Sequence, residues 1–306
     1  MEQKTALEGL DNAYIHFRGL EIPRHGLLSR FCSLTSDGSY KTHLPSGVNR
    51  MLDLLISRLL TGRISLSEAT IGHALGCMQR SWQYCTERKL WQGRKSEAPL
   101  MAGLPLVAQT FRDYGRAVGV VAHFLETTRE EVAACIRNDV IPNHVVEATC
   151  MCKFLGTGFG VDVISAMRKL LGSRALQDDS WLGKTSFVAN ATCAAEGDNT
   201  IMELKICQDM VRGRTSMLPL GLMSQIVACP QGRRAVAYFI ARLARASILG
   251  KAAMKDGQLL KDLAWARTHM RVIAAWRAQP GYGETEALWL ESYGTTCMAF
   301  PVPLAM

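Results

Sequence analysis

The chain has 306 residues, of which 48% are hydrophobic, 7% aromatic and 20% charged, and its net charge is +8 from 35 basic and 27 acidic side chains. That balance excludes a disordered chain and fits a helical globular protein with ample material for a core. No apolar run approaches the ~20 residues needed to span a bilayer, and Met1-Glu2-Gln3-Lys4 lacks the apolar segment of a secretory signal. The charge is spread along the chain, so it suits a small anionic partner such as a nucleotide cofactor or a CoA thioester. No basic face with interleaved aromatics marks a nucleic-acid binder, and none is expected as a partner. Ten scattered cysteines without CxxC pairs predict reduced thiols in an intracellular setting.

In chain order, Ala13-Tyr14-Ile15-His16-Phe17 predicts a strand and Ser36-Asp37-Gly38 a turn. From about Val48 the pattern becomes helical. One apolar-periodic stretch runs from Met51 to Leu90, a second from about Leu106 to Leu125, and a short one from Arg129 to Asn138. Pro142 opens another from Val145 to Leu171. A helix after Glu196 reaches about Arg212, and further helices cover roughly Arg233 to Lys255 and Leu259 to Arg277 before a loose end rich in Gly and Pro. Long helices with short joins predict a bundle.

Within that frame, Ala194-Ala195-Glu196-Gly197-Asp198-Asn199-Thr200 sets one carboxylate among residues that cannot neutralise it, just before a helix start. Asp198, Asn199 or Thr200 can cap that helix, with Glu203 in its first turn. Desolvation of Glu196 would raise its proton affinity toward that of a general base for a carbon-bound proton. Other features have plainer readings. Gly156-Thr157-Gly158-Phe159-Gly160 lacks the Lys-Ser/Thr of a phosphate loop and lies in a helical stretch, which points to close packing. Cys150 and Cys152 lack the partners of a metal site. His73, His123 and His144 fall in different helices, with no nucleophile at a triad's spacing. Arg242, Arg245, Lys251 and Lys255 read as a solvated helix face.

Several ordered landmarks resemble the C-terminal part of an acyl-CoA oxidase, within the acyl-CoA dehydrogenase superfamily. Gly9-Leu10-Asp11-Asn12-Ala13 with Ile22-Pro23-Arg24, and Ser36-Asp37-Gly38-Ser39-Tyr40, resemble the end of that family's middle β domain. Gly62-Arg63-Ile64-Ser65-Leu66 resembles the opening of its first bundle helix, and Tyr84, Glu87, Arg88 and Trp91 its ending. Gln109 follows Pro105-Leu106 as in the family. Leu171-Gly172-Ser173-Arg174-Ala175 stands at its "GGxG" loop, and Glu196-Gly197-Asp198-Asn199-Thr200 at its "EGxN" segment. Ser173, Ala175 and Ala195 depart from the family pattern, the last replacing an aromatic.

The resemblance implies an all-α fold: an acyl-CoA dehydrogenase-like C-terminal helical bundle with further C-terminal helices and a short β remnant at the N-terminus. It divides the chain into 1–45 (end of the β domain), 46–215 (bundle) and 216–306 (additional helices). It implies an FAD enzyme oxidising fatty acyl-CoA to trans-2-enoyl-CoA, with O2 as the acceptor, and a homodimer or homo-oligomer. The DGSY turn and the long insertion between Arg88 and Gln109 favour oxidase over dehydrogenase, whose acceptor would be an electron-transfer flavoprotein. Glu196 would be the base. Arg88 would reach a neighbouring subunit's FAD pyrophosphate, with a helix-end surface arginine as the alternative reading. Trp91, Gln109, Gly172, Gly197 and Asn199 would line the cofactor, and Arg63 the substrate or merely the helix surface. A truncated, non-catalytic paralogue assembling with a full-length subunit is the rival expectation. The family includes many peroxisomal members, yet Pro303-Leu304-Ala305-Met306 is not a Ser-Lys-Leu type address; a bacterial copy would be cytoplasmic.

Overall fold

The computed structural model describes residues 13–44, 51, 59–91, 98–138, 140–177 and 179–297. Its only sheet among these is a hairpin of β1 (Cys32–Leu34) and β2 (Tyr40–Thr42), antiparallel with Cys32 opposite Thr42. Gly38, at φ +84, takes the left-handed position that closes the turn, as the Ser-Asp-Gly signal predicts. The strand expected at 13–17 does not form. Tyr14 is 95% exposed and Ile15 and Phe17 also face solvent, because no strand among the described residues runs beside them to take up their backbone groups.

The remaining described chain is helical: α1 (Leu59–Glu87), α2 (Pro105–Arg137), α3 (Asn143–Leu171), α4 (Trp181–Ala194), α5 (Asn199–Val211), α6 (Leu220–Ile226), α7 (Pro230–Leu249), α8 (Gly257–Arg277) and α9 (Glu284–Thr296). Short 3-10 turns lie between α1 and α2 (Met101–Gly103), after α3 (Gly172–Leu176) and after α7 (Gly250–Lys255). The all-α fold read from the sequence is the one observed. The two stretches expected at 106–125 and 129–138 are one helix, since Glu126-Thr127-Thr128 contains no breaker and Thr128 is buried in the core. Residues 52–58 of the first predicted helix lie outside the described residues.

Helix α3 is the centre. From Glu147 to Thr157 it is buried without a break, so water reaches no side of it, and it touches α1, α2, α4, α5 and α8. By length and composition it could cross a membrane, but 72% of its apolar window is packed inside this protein. The crossing with α1 depends on the glycines of the 156–160 stretch. A Cβ at Gly156 would stand 2.6 Å from the Ser67 Cβ, and one at Gly160 2.7 Å from the Thr70 Cγ2. Packing is thus the role of those glycines. A single hydrophobic cluster runs from Ile71 through α9, where Tyr293 accepts or donates a 2.6 Å hydrogen bond at the buried His269 Nδ1.

Candidate functional site

The turn between α4 and α5 is built around Glu196. Helix α4 ends at Ala194, Asp198 caps α5 by accepting from the Thr200 amide at 2.8 Å, and two left-handed residues lie between, Glu196 at φ +53 and Gly197 at φ +99. Glu196 is the only non-glycine residue with positive φ among those described. A side chain in that region carries backbone strain of about 1–3 kcal/mol, held only where the surroundings over-determine it. Here they do. The Glu196 carboxyl group lies directly over Gly62 of α1: a Cβ there would be 2.8 Å from its Cδ and 2.9 Å from Oε1. Arg63, 4% exposed, donates from Nε to the Glu196 carbonyl at 3.3 Å and brings Nη1 to 3.7 Å from the Cys150 sulfur. The helix-surface reading of Arg63 is therefore replaced by a buried one in which it holds the backbone of the carboxylate residue. Glu196 itself is half-buried, and cations stand beside its turn, so its surroundings are less uniformly apolar than the sequence alone implies.

Sequence reasoning missed the clamp beneath this turn. Lys153 is fully buried; its Nζ donates to the Cys193 carbonyl at 2.7 Å and to Asn199 Oδ1 at 2.8 Å. One ammonium thus ties the end of α4 to the start of α5. Burial lowers its pKa to about 8, partly opposed by the thiol of Cys193 and the carboxylates of Asp198 and Glu196. Thr157 completes the set, meeting the Asn199 side chain at 3.0 and 3.2 Å. The signal was in the sequence: Lys153 is the one charge in Ala148–Thr157, an otherwise apolar and small-residue run. Asn199 is consequently occupied with holding the turn.

The other four candidates, Arg88, Trp91, Gln109 and Gly172, sit at the far end of the bundle. After α1 the chain returns through a bridge pairing Lys89 with Leu100, and the Met101 amide donates to the Arg88 carbonyl at 2.8 Å. The Trp82 and Phe111 rings, 5.1 Å apart, set the start of α2, with exposed Gln109, beside the end of α1. Gly172 ends α3 at φ +56, with nothing within 4 Å of the space a Cβ would take. Ser173 and Ala175 lie in the following 3-10 turn with negative φ, so the departures from a glycine-rich loop introduce no left-handed side chain. Arg174 of this turn covers Trp181, whose ring is 6.5 Å from Tyr84 of α1, one turn before Arg88. Twenty-five residues of helix separate Arg63 from Arg88, a rise of roughly 37 Å. The eight candidates therefore form two groups at opposite ends of α1.

The distal group is open to solvent. Arg88 is exposed and makes no ion pair or side-chain hydrogen bond with the described residues, while Trp91 is 89% exposed, a ring with an open face. Cys150 and Cys152 are free, fully buried thiols, and every other cysteine is free as well. Of the basic α7 face, Arg242 pairs with Asp262 at 2.9 Å and Arg245 with Asp256 at 3.0 Å.

Residues 52–211 match the family model described as acyl-CoA dehydrogenase, C-terminal domain, over just half of the chain. Among curated proteins, the chain is 24% identical over 220 residues to the peroxisomal acyl-coenzyme A oxidase 2 of Arabidopsis thaliana, covering 68% of this chain and 30% of that protein. It is also 24% identical over 224 residues to the peroxisomal acyl-coenzyme A oxidase 2 of Rattus norvegicus, covering 68% and 31%. Among solved structures, an acyl-CoA oxidase from tomato matches with a TM-score of 0.65 at 20% identity, covering 90% of this chain and 47% of that one. Acyl-CoA oxidase 3 of Yarrowia lipolytica gives a TM-score of 0.69 at 13% identity, covering 95% and 49%. The chain thus spans under a third of the length of these curated relatives, and with the fold and the ordered landmarks it belongs to the acyl-CoA dehydrogenase C-terminal domain family.

Proposed function

We propose that this chain is the C-terminal helical part of an acyl-CoA oxidase acting on fatty acyl-CoA, with Glu196 as its base. The observation that carries the reading is the left-handed Glu196, its carboxyl over Gly62 and its turn fixed by Lys153 and Arg63. Glu196 takes the proton from the carbon beside the thioester carbonyl, and the electron pair of that C–H bond becomes the new double bond. FAD, when bound, accepts the hydride from the neighbouring carbon. Fixing the backbone on both sides of Glu196 keeps the carboxylate aimed at one carbon, where a displacement of about 1 Å would cost roughly a hundredfold in rate. Arg63 acts in this reading as a positioning residue, and Gly197 keeps the chain beside the carboxylate free of a side chain.

Arg88, Trp91, Gln109 and Gly172 serve a cofactor bound mainly by a second copy of the chain. The roughly 37 Å between the groups supports this, because one extended flavin dinucleotide does not bridge them. A homodimer follows as the simplest assembly. O2 is the acceptor on the oxidase reading, and a peroxisomal setting is in line with the names of the relatives. The test is anaerobic flavin bleaching: the protein is incubated with FAD, desalted and mixed with a fatty acyl-CoA. Retained flavin that bleaches with native Glu196 and stays yellow in Glu196→Gln is the expected result. Flavin that binds and bleaches equally in the variant contradicts the proposal, and flavin that never binds shows that this C-terminal part does not hold the cofactor by itself.

A further inference from the structure

A cavity of about 430 Å³ opens where the start of α3, the loop after α5 and one face of α8 meet, and none of the eight candidate residues lines it. Arg267, 4% exposed, grips the buried Glu147 through Nε–Oε1 at 2.7 Å and Nη2–Oε2 at 3.2 Å, and its Nη1 donates to the Ser216 carbonyl at 2.7 Å. Arg271 approaches the same carboxylate at 3.6 Å and the His144 carbonyl at 3.4 Å, both too long to satisfy a guanidinium. On the facing wall Arg214 lies 3.4 Å from Asp209, a carboxylate already held by Lys205 at 2.6 Å. Four cations (Lys205, Arg214, Arg267, Arg271) thus face three carboxylates, Glu147, Asp209 and Glu131, the last beside His144 at 3.1 Å, which leaves the wall net positive. Such an excess at a part-buried wall calls for an anion.

A separate observation points the same way. Thr215 lines the cavity, is 8% exposed, and its hydroxyl has no hydrogen-bond partner among the described residues. Helix α3 also begins here with no side chain capping its first amides, so its positive end adds to the field.

We propose that this cavity binds a phosphate group, as inorganic phosphate or as a small phosphate monoester. A phosphate group carries about −1.5 to −2 charge at neutral pH and three strong acceptor oxygens, so it can be shared between two guanidinium groups more fully than a two-oxygen carboxylate. Its oxygens suit the guanidinium forks of Arg271 and Arg214. The volume admits an organic portion beside the phosphate, within the roughly 300–1,000 Å³ of small-ligand sites.

The experiment is thermal unfolding of the full chain at constant ionic strength, with chloride replaced stepwise by inorganic phosphate, phenyl phosphate or acetate. Saturable stabilisation by either phosphate, absent with acetate, is expected. A stronger response to phenyl phosphate assigns a monoester, and a stronger response to inorganic phosphate assigns the free ion. Arg214→Gln and Arg271→Gln should each raise the half-saturating concentration at least tenfold without altering flavin retention. No saturable stabilisation, equal stabilisation by acetate, or a response unchanged in both variants overturns the proposal.

Discussion

The two ends of α1 are built on opposite principles. Around Glu196 nearly every polar group is spoken for: Arg63 holds a carbonyl, Lys153 holds two acceptors, and Asn199 and Thr157 hold each other. Around Arg88 the groups stand open, with an exposed guanidinium, an exposed indole and a glycine with free space above it. A closed, strained constellation suits a group that must be aimed at one atom. An open set of donors and rings suits a surface that is completed by something outside the chain. The same helix therefore carries a closed end and an open end.

Changes at the closed end should cost most. Glu196→Gln should lower turnover by about 10²–10⁴-fold, the usual worth of a general base, with flavin retention and far-ultraviolet circular dichroism unchanged. Gly62→Ala would force a Cβ to within 2.8 Å of the Glu196 Cδ. The carboxylate must then move, and a loss of roughly a hundredfold in kcat is expected with flavin still bound. If Gly62→Ala is silent, Glu196 is not fixed by this contact. At the open end, Arg88→Ala should weaken flavin retention by roughly ten- to hundredfold, the worth of a charge-assisted pair, while unfolding temperature stays put because the exposed Arg88 side chain makes no ion pair or hydrogen bond with the described residues and its backbone bonds are kept.

The smallest effect is on stability. Lys153→Met leaves the Cys193 carbonyl and Asn199 Oδ1 without their buried donor, at a cost of about 1–3 kcal/mol in chemical denaturation. Its pH dependence has a definite sign. The Lys153 pKa falls from 10.5 to about 8 on folding, so between those values the unfolded chain binds more protons and stability rises with pH. The native protein should therefore gain stability over Lys153→Met between about pH 8 and 10.5. A constant difference across that window would mean that Lys153 is not desolvated.

Much of the bundle is legible in the sequence because α1, α2 and α3 bury long apolar stripes, and Pro142 marks the start of α3. Other elements leave fainter marks. Helix α4 buries only Leu182, Ser186 and Ala189, too few for a periodic stripe, although Ser180 caps it by accepting from the Leu182 amide. Helix α9 lies in what reads as a loose end, and its start is fixed by Glu286 accepting from the Gly283 amide at 2.9 Å. It then packs on α2 so closely that a Cβ at Gly119 would overlap the Trp289 ring. Alternation alone did not make a strand of residues 13–17, since a strand needs a neighbour. Within the site, Glu196 and its turn are readable from local chemistry. The division into two ends is not, because it depends on how far a helix carries Arg88 from Arg63.

That division is tested most directly by mixing two inactive variants. Glu196→Gln and Arg88→Ala chains are unfolded together, refolded with FAD, and assayed by anaerobic bleaching with a fatty acyl-CoA. If each cofactor is served by Glu196 of one copy and Arg88 of another, a mixed dimer contains one intact site, and the mixture regains bleaching that neither variant has alone. No recovery, with mixed dimers demonstrably present, would mean that one chain supplies both residues to its cofactor and would contradict the account.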